Sequence, residues 1–209
     1  IRDRTQDGRR VIALDNRGHG QSDKLYDPAC YGAPEMADDA IRLLDNLKID
    51  RVDVLGYSMG ARIAAFLAIA HPERVRSAVF GGLGIHMVRG MVGAGPLAAA
   101  LEAPKLEDVT NDTARSFRIF AEQTNSDLKA LAACMRGPRE KVRAEKLGEL
   151  TVPVLVAVGS KDVIGGSGAA LAELIPNAQF LDIADSDHMK AVGDNQFKQG
   201  VLAFLASRI

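Results

Sequence analysis

The sequence predicts an α/β protein, a mostly parallel sheet flanked by helices. Three observations carry the prediction. Short continuous apolar runs, such as Val52–Leu55 and "VPVLVAV" (Val152–Val158), read as buried strands. Between them lie longer segments with helical spacing of apolar residues, and this alternation is the signature of parallel strands joined by crossover helices. One long stretch, 85–150, has helical pieces and no convincing strand, so helices are inserted between the third and fourth strands of the sheet.

Taken in order, Ile1–Arg10 ("IRDRTQDGRR") reads as the end of a helix leading into the first strand, Val11–Leu14, a run buried on both faces. Asp15–Lys24 ("DNRGHGQSDK") is a loop. Ala33–Leu47 places Met36, Ala40, Leu43, Leu44 and Leu47 on one side of a helix, with Pro34 in its first turn. Val52–Leu55 is the second strand and Met59–Ala70 a helix that His71-Pro72 ends. Val75–Phe80 is the third strand, stopped by "GGLG". Within the insertion, Thr113–Gln123 and Asp127–Arg136 are helical, the latter closed by Gly137-Pro138. Val152–Val158 restores the strand pattern. Ala169–Ile175 is a helix, Gln179–Ile183 the fifth strand and Asn195–Ser207 a closing helix.

Composition excludes several classes. The 209 residues carry 26 Lys and Arg against 27 Asp and Glu, a formal net charge of −1, so no field of one sign is available to attract nucleic acid or an acidic membrane. The longest apolar stretch, Ala61–Ala70, contains Arg62 and is too short to span a bilayer. Cys30 and Cys134 sit in no metal-ligand spacing and read as two ordinary thiols of a reducing, cytoplasmic compartment. The chain begins with Ile1 and its first methionine is Met36, so the expectation is a part of a longer protein.

Chemistry concentrates at Gly56-Tyr57-Ser58-Met59-Gly60, where a strand meets a helix. A G-x-S-x-G string is weak by itself; its context gives it weight. In a parallel sheet, reactive groups gather beyond the carboxyl ends of the strands. Those positions hold Asp15, Arg17 and His19, then Ser58, then "GGLG", then Lys161 and Asp162, then Asp185, Asp187 and His188. A serine, a carboxylate and a histidine thus occur in the order Ser58, Asp162, His188. A serine hydroxyl needs a base to take its proton, and the base needs a partner to fix its tautomer. Gly56 and Gly60 are expected to leave room for the sharp turn, and the helix opening at Met59 aims its positive end at the same place. Of the other histidines, His19 reads as part of a glycine-rich turn, His71 as a helix terminus and His86 as a lesser candidate for the pocket. Arg62 reads as an exposed helix residue.

These motifs resemble those of the α/β-hydrolase superfamily. "DNRGHGQSDK" is similar to its loop after the fourth strand, "GYSMG" to its nucleophile elbow, "VAVGSKD" (Val156–Asp162) to its acid loop and "DSDHM" (Asp185–Met189) to its histidine loop. The resemblance covers nearly the whole chain. It implies Ser58 as nucleophile, His188 as base, Asp162 as acid and the Met59 N–H as an oxyanion donor, the second donor coming from upstream of Ile1. It also implies a core in two parts, 1–84 and 151–209, around a helical cap at 85–150.

On that basis the expected activity is a serine hydrolase of a carboxylic ester, thioester or lactone, acting on a small apolar substrate without metal or organic cofactor, with homo-oligomerisation left open. Met87, Val88, Met91, Leu97, Phe117 and Phe120 are the candidates for an apolar pocket. A second reading uses the same triad for carbon–carbon cleavage or elimination. "GYSMGARIA" is similar to the elbow of the menaquinone-pathway lyase, and "SMG" recurs in meta-cleavage hydrolases and enol-lactonases. A lyase for a polycarboxylate needs cations, for which Arg89, Arg115, Arg118 and Arg136 are candidates. A third reading is a binding module without chemistry, against which the intact trio argues.

Overall fold

The computed structural model describes residues 2–6, 8–90 and 94–208. In chain order it contains β1 (Arg2–Gln6), β2 (Arg9–Ala13), α1 (Ala33–Asn46), β3 (Val52–Tyr57), α2 (Met59–Ala70) and β4 (Val75–Gly81). The helices α3 (His86–Arg89), α4 (Ala94–Glu102), α5 (Asp112–Gln123), α6 (Leu128–Arg136) and α7 (Ala144–Gly148) follow. The chain closes with β5 (Val154–Gly159), α8 (Gly168–Ala172), β6 (Ala178–Ile183), α9 (His188–Ala191) and α10 (Asn195–Ala206). The expected insertion of helices after Val75–Phe80 is present as α3–α7, between β4 and β5, the second and third strands of the parallel sheet.

Two compact units emerge, one of Ile1–Met36 and Val92–Pro138, the other of Ala37–Met91 and Arg139–Ile209. Their borders do not coincide with 84/85 and 150/151.

In the first unit, the sequence reading fails at the start. Arg2–Gln6 is a strand, not a helix end, and it pairs antiparallel with β2 in a two-stranded sheet, Gln6 opposite Arg9. Gly8, at φ 73°, lies between them. Hairpin turns favour glycine because they need positive φ. Nor is the Val11–Leu14 run a buried parallel strand: it has one neighbour instead of two, and Val11 is 45% exposed. The helices of this unit pack through Leu97, Ala100, Val109 and Ala114, with Phe117 and Met135 against them. Asn111 and Asp127 cap α5 and α6 by accepting from the N–H groups of Ala114 and Ala130.

The second unit is built on a parallel sheet of order β3-β4-β5-β6. One sheet face carries Val79, Leu155, Ala157 and Ile183, which pack with Ala191 of α9 and Phe197, Val201 and Phe204 of α10. On the opposite face α2 comes close to β3: a Cβ added at Gly56 would lie 1.9 Å from the Gly60 carbonyl oxygen. Gly168 likewise lets α8 approach Phe180 and Val158. β5 is buried throughout, as its unbroken apolar run requires.

Candidate active site

Ser58 sits between β3 and α2 with φ 54° and ψ −112°, a conformation that L residues adopt only at a cost. The surroundings enforce it. Its N–H donates to the Gly81 carbonyl at 2.7 Å, and its own carbonyl accepts from the N–H of Ala61 at 3.0 Å. The side chain does not cap the helix, so the hydroxyl is directed elsewhere. The two glycines of the motif differ in role. Gly56 is required by the close approach of α2, whereas a Cβ at Gly60 would meet nothing within 4 Å. The expectation that both make room for the turn therefore holds for Gly56 alone.

The structure brings Ser58, Asp162 and His188 together within the second unit. His188 Nε2 lies 2.9 Å from Ser58 Oγ, and His188 Nδ1 lies 2.8 Å from Asp162 Oδ2. An ionised carboxylate only accepts, so Nδ1 carries the proton and donates to Asp162. Nε2 is then the acceptor of the serine hydroxyl. The carboxylate side chain is fully buried, and its other oxygen accepts from the N–H groups of Ile164 at 2.9 Å and Gly165 at 2.8 Å. These bonds hold the charge in place without solvent. The arrangement can move a proton from Ser58 to His188 while the carboxylate stabilises the resulting cation.

The competing carboxylates are placed elsewhere. Asp187 caps α9, accepting from the N–H groups of Met189 and Lys190, both at 3.0 Å. The Lys190 N–H above all lowers its pKa below the usual carboxylate value. Asp185 is an exposed partner of Lys161 at 2.8 Å. Met59 is the first residue of α2, directly after Ser58.

Further neighbours escaped the sequence reading. Arg62 is buried, not exposed, and donates to the carbonyls of Met87 at 3.0 Å, Glu140 at 2.9 Å and His86 at 3.3 Å. Burial lowers its pKa. His86 donates from Nδ1 to the Ile164 carbonyl at 2.8 Å, which ties the segment after β4 to the loop that carries Asp162. Backbone bonds from Gly84 and Ile85 to Gly165 and Ser167 reinforce that junction, and a Cβ at Gly84 would collide with it. Only the position of Arg62, four residues from Ser58, could have signalled its role.

His19 holds its own loop, donating to the Arg17 carbonyl at 2.9 Å. His71 lies within 3.6 Å of Asp38 at the end of α2. Of the apolar candidates, Met87 is fully buried, Leu97 and Phe117 belong to the core of the first unit, Phe120 is 52% exposed, and Met91 lies outside the described residues. Three candidate arginines are engaged locally: Arg115 on the Leu106 carbonyl, Arg118 on the carbonyls of Ala100, Leu101 and Ala103, and Arg136 on Glu102. Arg89 is exposed. Among the described residues no helix is long and apolar enough to cross a membrane, and no cluster of His, Cys, Asp or Glu could hold a metal ion.

A family model described as alpha/beta hydrolase fold matches residues 2–112. The chain belongs to the alpha/beta hydrolase fold family. Relatives of this alpha/beta hydrolase fold chain include proteins named as hydrolases. It is 30% identical over 231 residues to a 2-hydroxymuconate semialdehyde hydrolase of Pseudomonas putida, covering 97% of this chain and 79% of that protein. The hydrolase of the same name from Pseudomonas sp. strain CF600 is 47% identical over 74 residues, which span 35% of this chain and only 26% of that protein. Among solved structures, a hydrolase from Pseudomonas aeruginosa PA01 shares 27% identity with a TM-score of 0.70, over 94% of this alpha/beta hydrolase and 79% of that chain.

Proposed function

We propose that this alpha/beta hydrolase is a serine hydrolase of a carboxylic ester, thioester or lactone. The observation that supports it most is the continuous hydrogen-bonded line from the buried Asp162 through His188 to Ser58. Ser58 Oγ attacks the substrate carbonyl carbon as His188 Nε2 takes the hydroxyl proton. The carbonyl π electrons move to oxygen, where the N–H of Met59 donates to the developing negative charge. Collapse of this intermediate breaks the bond to the leaving group, which receives the proton from His188, and leaves an acyl group on Ser58. Water, deprotonated by His188, then releases the acid and restores the serine.

A second reading is favoured by two relatives named 2-hydroxymuconate semialdehyde hydrolase. A semialdehyde of that kind carries no ester, so for this chain such a substrate would put the same residues to hydrolytic carbon–carbon cleavage. Elimination on a polycarboxylate has less support, because Arg115, Arg118 and Arg136 are bound to groups of their own surroundings.

The test is a panel of aryl esters of increasing acyl length, run beside 2-hydroxymuconate semialdehyde, with fluorophosphonate labelling of Ser58. Turnover of short acyl esters supports the ester class. Silence on every ester with turnover of the semialdehyde selects the second reading. Failure of Ser58 to be labelled, with no turnover, refutes both.

A further inference from the structure

We propose that Tyr57 is a positioning residue that fixes the main chain of the base, His188, from the strand that presents the nucleophile. The inference rests on the reading of Ser58 and His188 as nucleophile and base. Its central observation is that the Tyr57 hydroxyl donates to the His188 carbonyl oxygen at 2.6 Å, across 131 positions of sequence. The rings of the two residues lie 5.5 Å apart, tilted by 48°.

The need for such a hold follows from the fold. His188 opens α9, a helix of four residues that can make few bonds of its own. Asp162 grips one end of the residue, the ring at Nδ1, and so controls ring rotation. It does not control where the backbone of α9 lies along the sheet. Tyr57 grips the other end. Because Tyr57 precedes Ser58 directly, any shift of the serine is transmitted to the histidine, and the 2.9 Å contact between Oγ and Nε2 is preserved.

The tyrosine ring is itself immobilised. It meets Phe197 edge-on, 5.8 Å between centroids and 88° between planes. Its lateral partner across the sheet is Gly81, where a Cβ would lie 2.8 Å from the ring. At Gly82, with φ 61°, a Cβ would lie 2.4 Å from Tyr57 Cζ. The glycines after β4 therefore make the slot in which the phenol lies. Burial first, and then the charges of Asp162 and Asp187, push the phenol pKa far up, so the hydroxyl stays a donor throughout the working pH range.

The experiment is Tyr57→Phe, which removes one oxygen and keeps the ring. Activity on whichever substrate of the panel turns over is measured well below the melting temperature. The expected result is a fall in kcat of about five- to twentyfold with KM nearly unchanged, as for loss of one hydrogen bond and slight misplacement of a reacting group. Inactivation of Ser58 by a fluorophosphonate should slow by the same factor. The far-downfield proton resonance of the His188–Asp162 hydrogen bond should shift or broaden. Phe204→Leu, which loosens the same core and leaves the Tyr57–Phe197 ring contact in place, should retain kcat.

Wild-type kcat in Tyr57→Phe, a lowered kcat with an unmoved resonance, or an equal loss in Phe204→Leu would each overturn the inference. So would a Tyr57→Phe protein that loses its fold along with its activity, since the hydroxyl would then serve stability alone. Ser58→Ala is run alongside. Full activity there refutes the triad, whereas an inactive Ser58→Ala beside an unimpaired Tyr57→Phe refutes only the role of Tyr57.

Discussion

Replacing Asp162 with asparagine should cost far more than the loss of a charge, and the structure says why. In the wild type, Oδ1 accepts from the N–H groups of Ile164 and Gly165. Those two donors are backbone and cannot turn away, so the amide of Asn must place its oxygen there. Its NH2 then occupies the site of Oδ2, 2.8 Å from His188 Nδ1. Two donors cannot face each other, and the imidazole proton moves to Nε2. The ring now presents N–H to Ser58 Oγ and cannot act as its base. Triads forced into this tautomer lose about 10⁴-fold in kcat, roughly 5 kcal/mol at about 1.4 kcal/mol per tenfold. The assay is initial rate on an activated ester at neutral pH for Asp162→Asn, Asp185→Asn and Asp187→Asn, with melting curves. Asn caps helices as well as Asp, so Asp187→Asn should stay within a few-fold of wild type, about 0.5 kcal/mol. A loss below about a hundredfold in Asp162→Asn, or a larger loss in Asp187→Asn, would refute the assignment.

Ser58→Ala should lower turnover by about a million-fold at unchanged circular dichroism, as in other triads; substantial residual turnover removes Ser58 from its role. Gly56→Ala should destabilise by several kcal/mol, about 3 or more, because its methyl would overlap the backbone of Gly60 and Ala61. Gly60→Ala should instead leave the melting temperature level or raise it, by up to about 1 kcal/mol of helix propensity. The capping carboxylates Asp127 and Asp194 have pKa values lowered from 3.8, chiefly by the N–H groups of Ala130 and Gln196. A lowered folded pKa adds stability above the unfolded value and loses it as pH falls through the folded one. Calorimetry should thus show a flat melting temperature above about pH 5 and a decline below about pH 4, with a shallower decline in Asp194→Asn.

Most of the parallel sheet was legible because buried strands are written as unbroken apolar runs, and β4 and β5 begin and end within a residue or two of the runs that predict them. The line of Ser58, Asp162 and His188 could be read because the carboxyl ends of parallel strands converge, so position relative to a strand substitutes for distance. The hairpin of β1 and β2 was legible in principle at Gly8, but the charged run around it carries no alternation to mark two strands. Tyr57 could not be read at all, and Arg62 only through its place four residues after Ser58. Their partners are main-chain carbonyls, and a carbonyl has no letter in a sequence. The same holds for Arg115 and Arg118, candidate cations for a polycarboxylate whose guanidinium groups cap backbone carbonyls.

The backbone at Ser58 has a consequence for how this protein responds to selection. Its φ of 54° is one that glycine adopts at no penalty and serine at a cost of about 1 kcal/mol or more. Ser58→Gly should therefore melt above the wild type while hydrolysing nothing. A library randomised at this one codon and sorted for heat resistance would enrich glycine, and the same library sorted for turnover would return serine. The two screens diverge at the proposed nucleophile, so a search for a hardier form of this protein has to read out catalysis at every round.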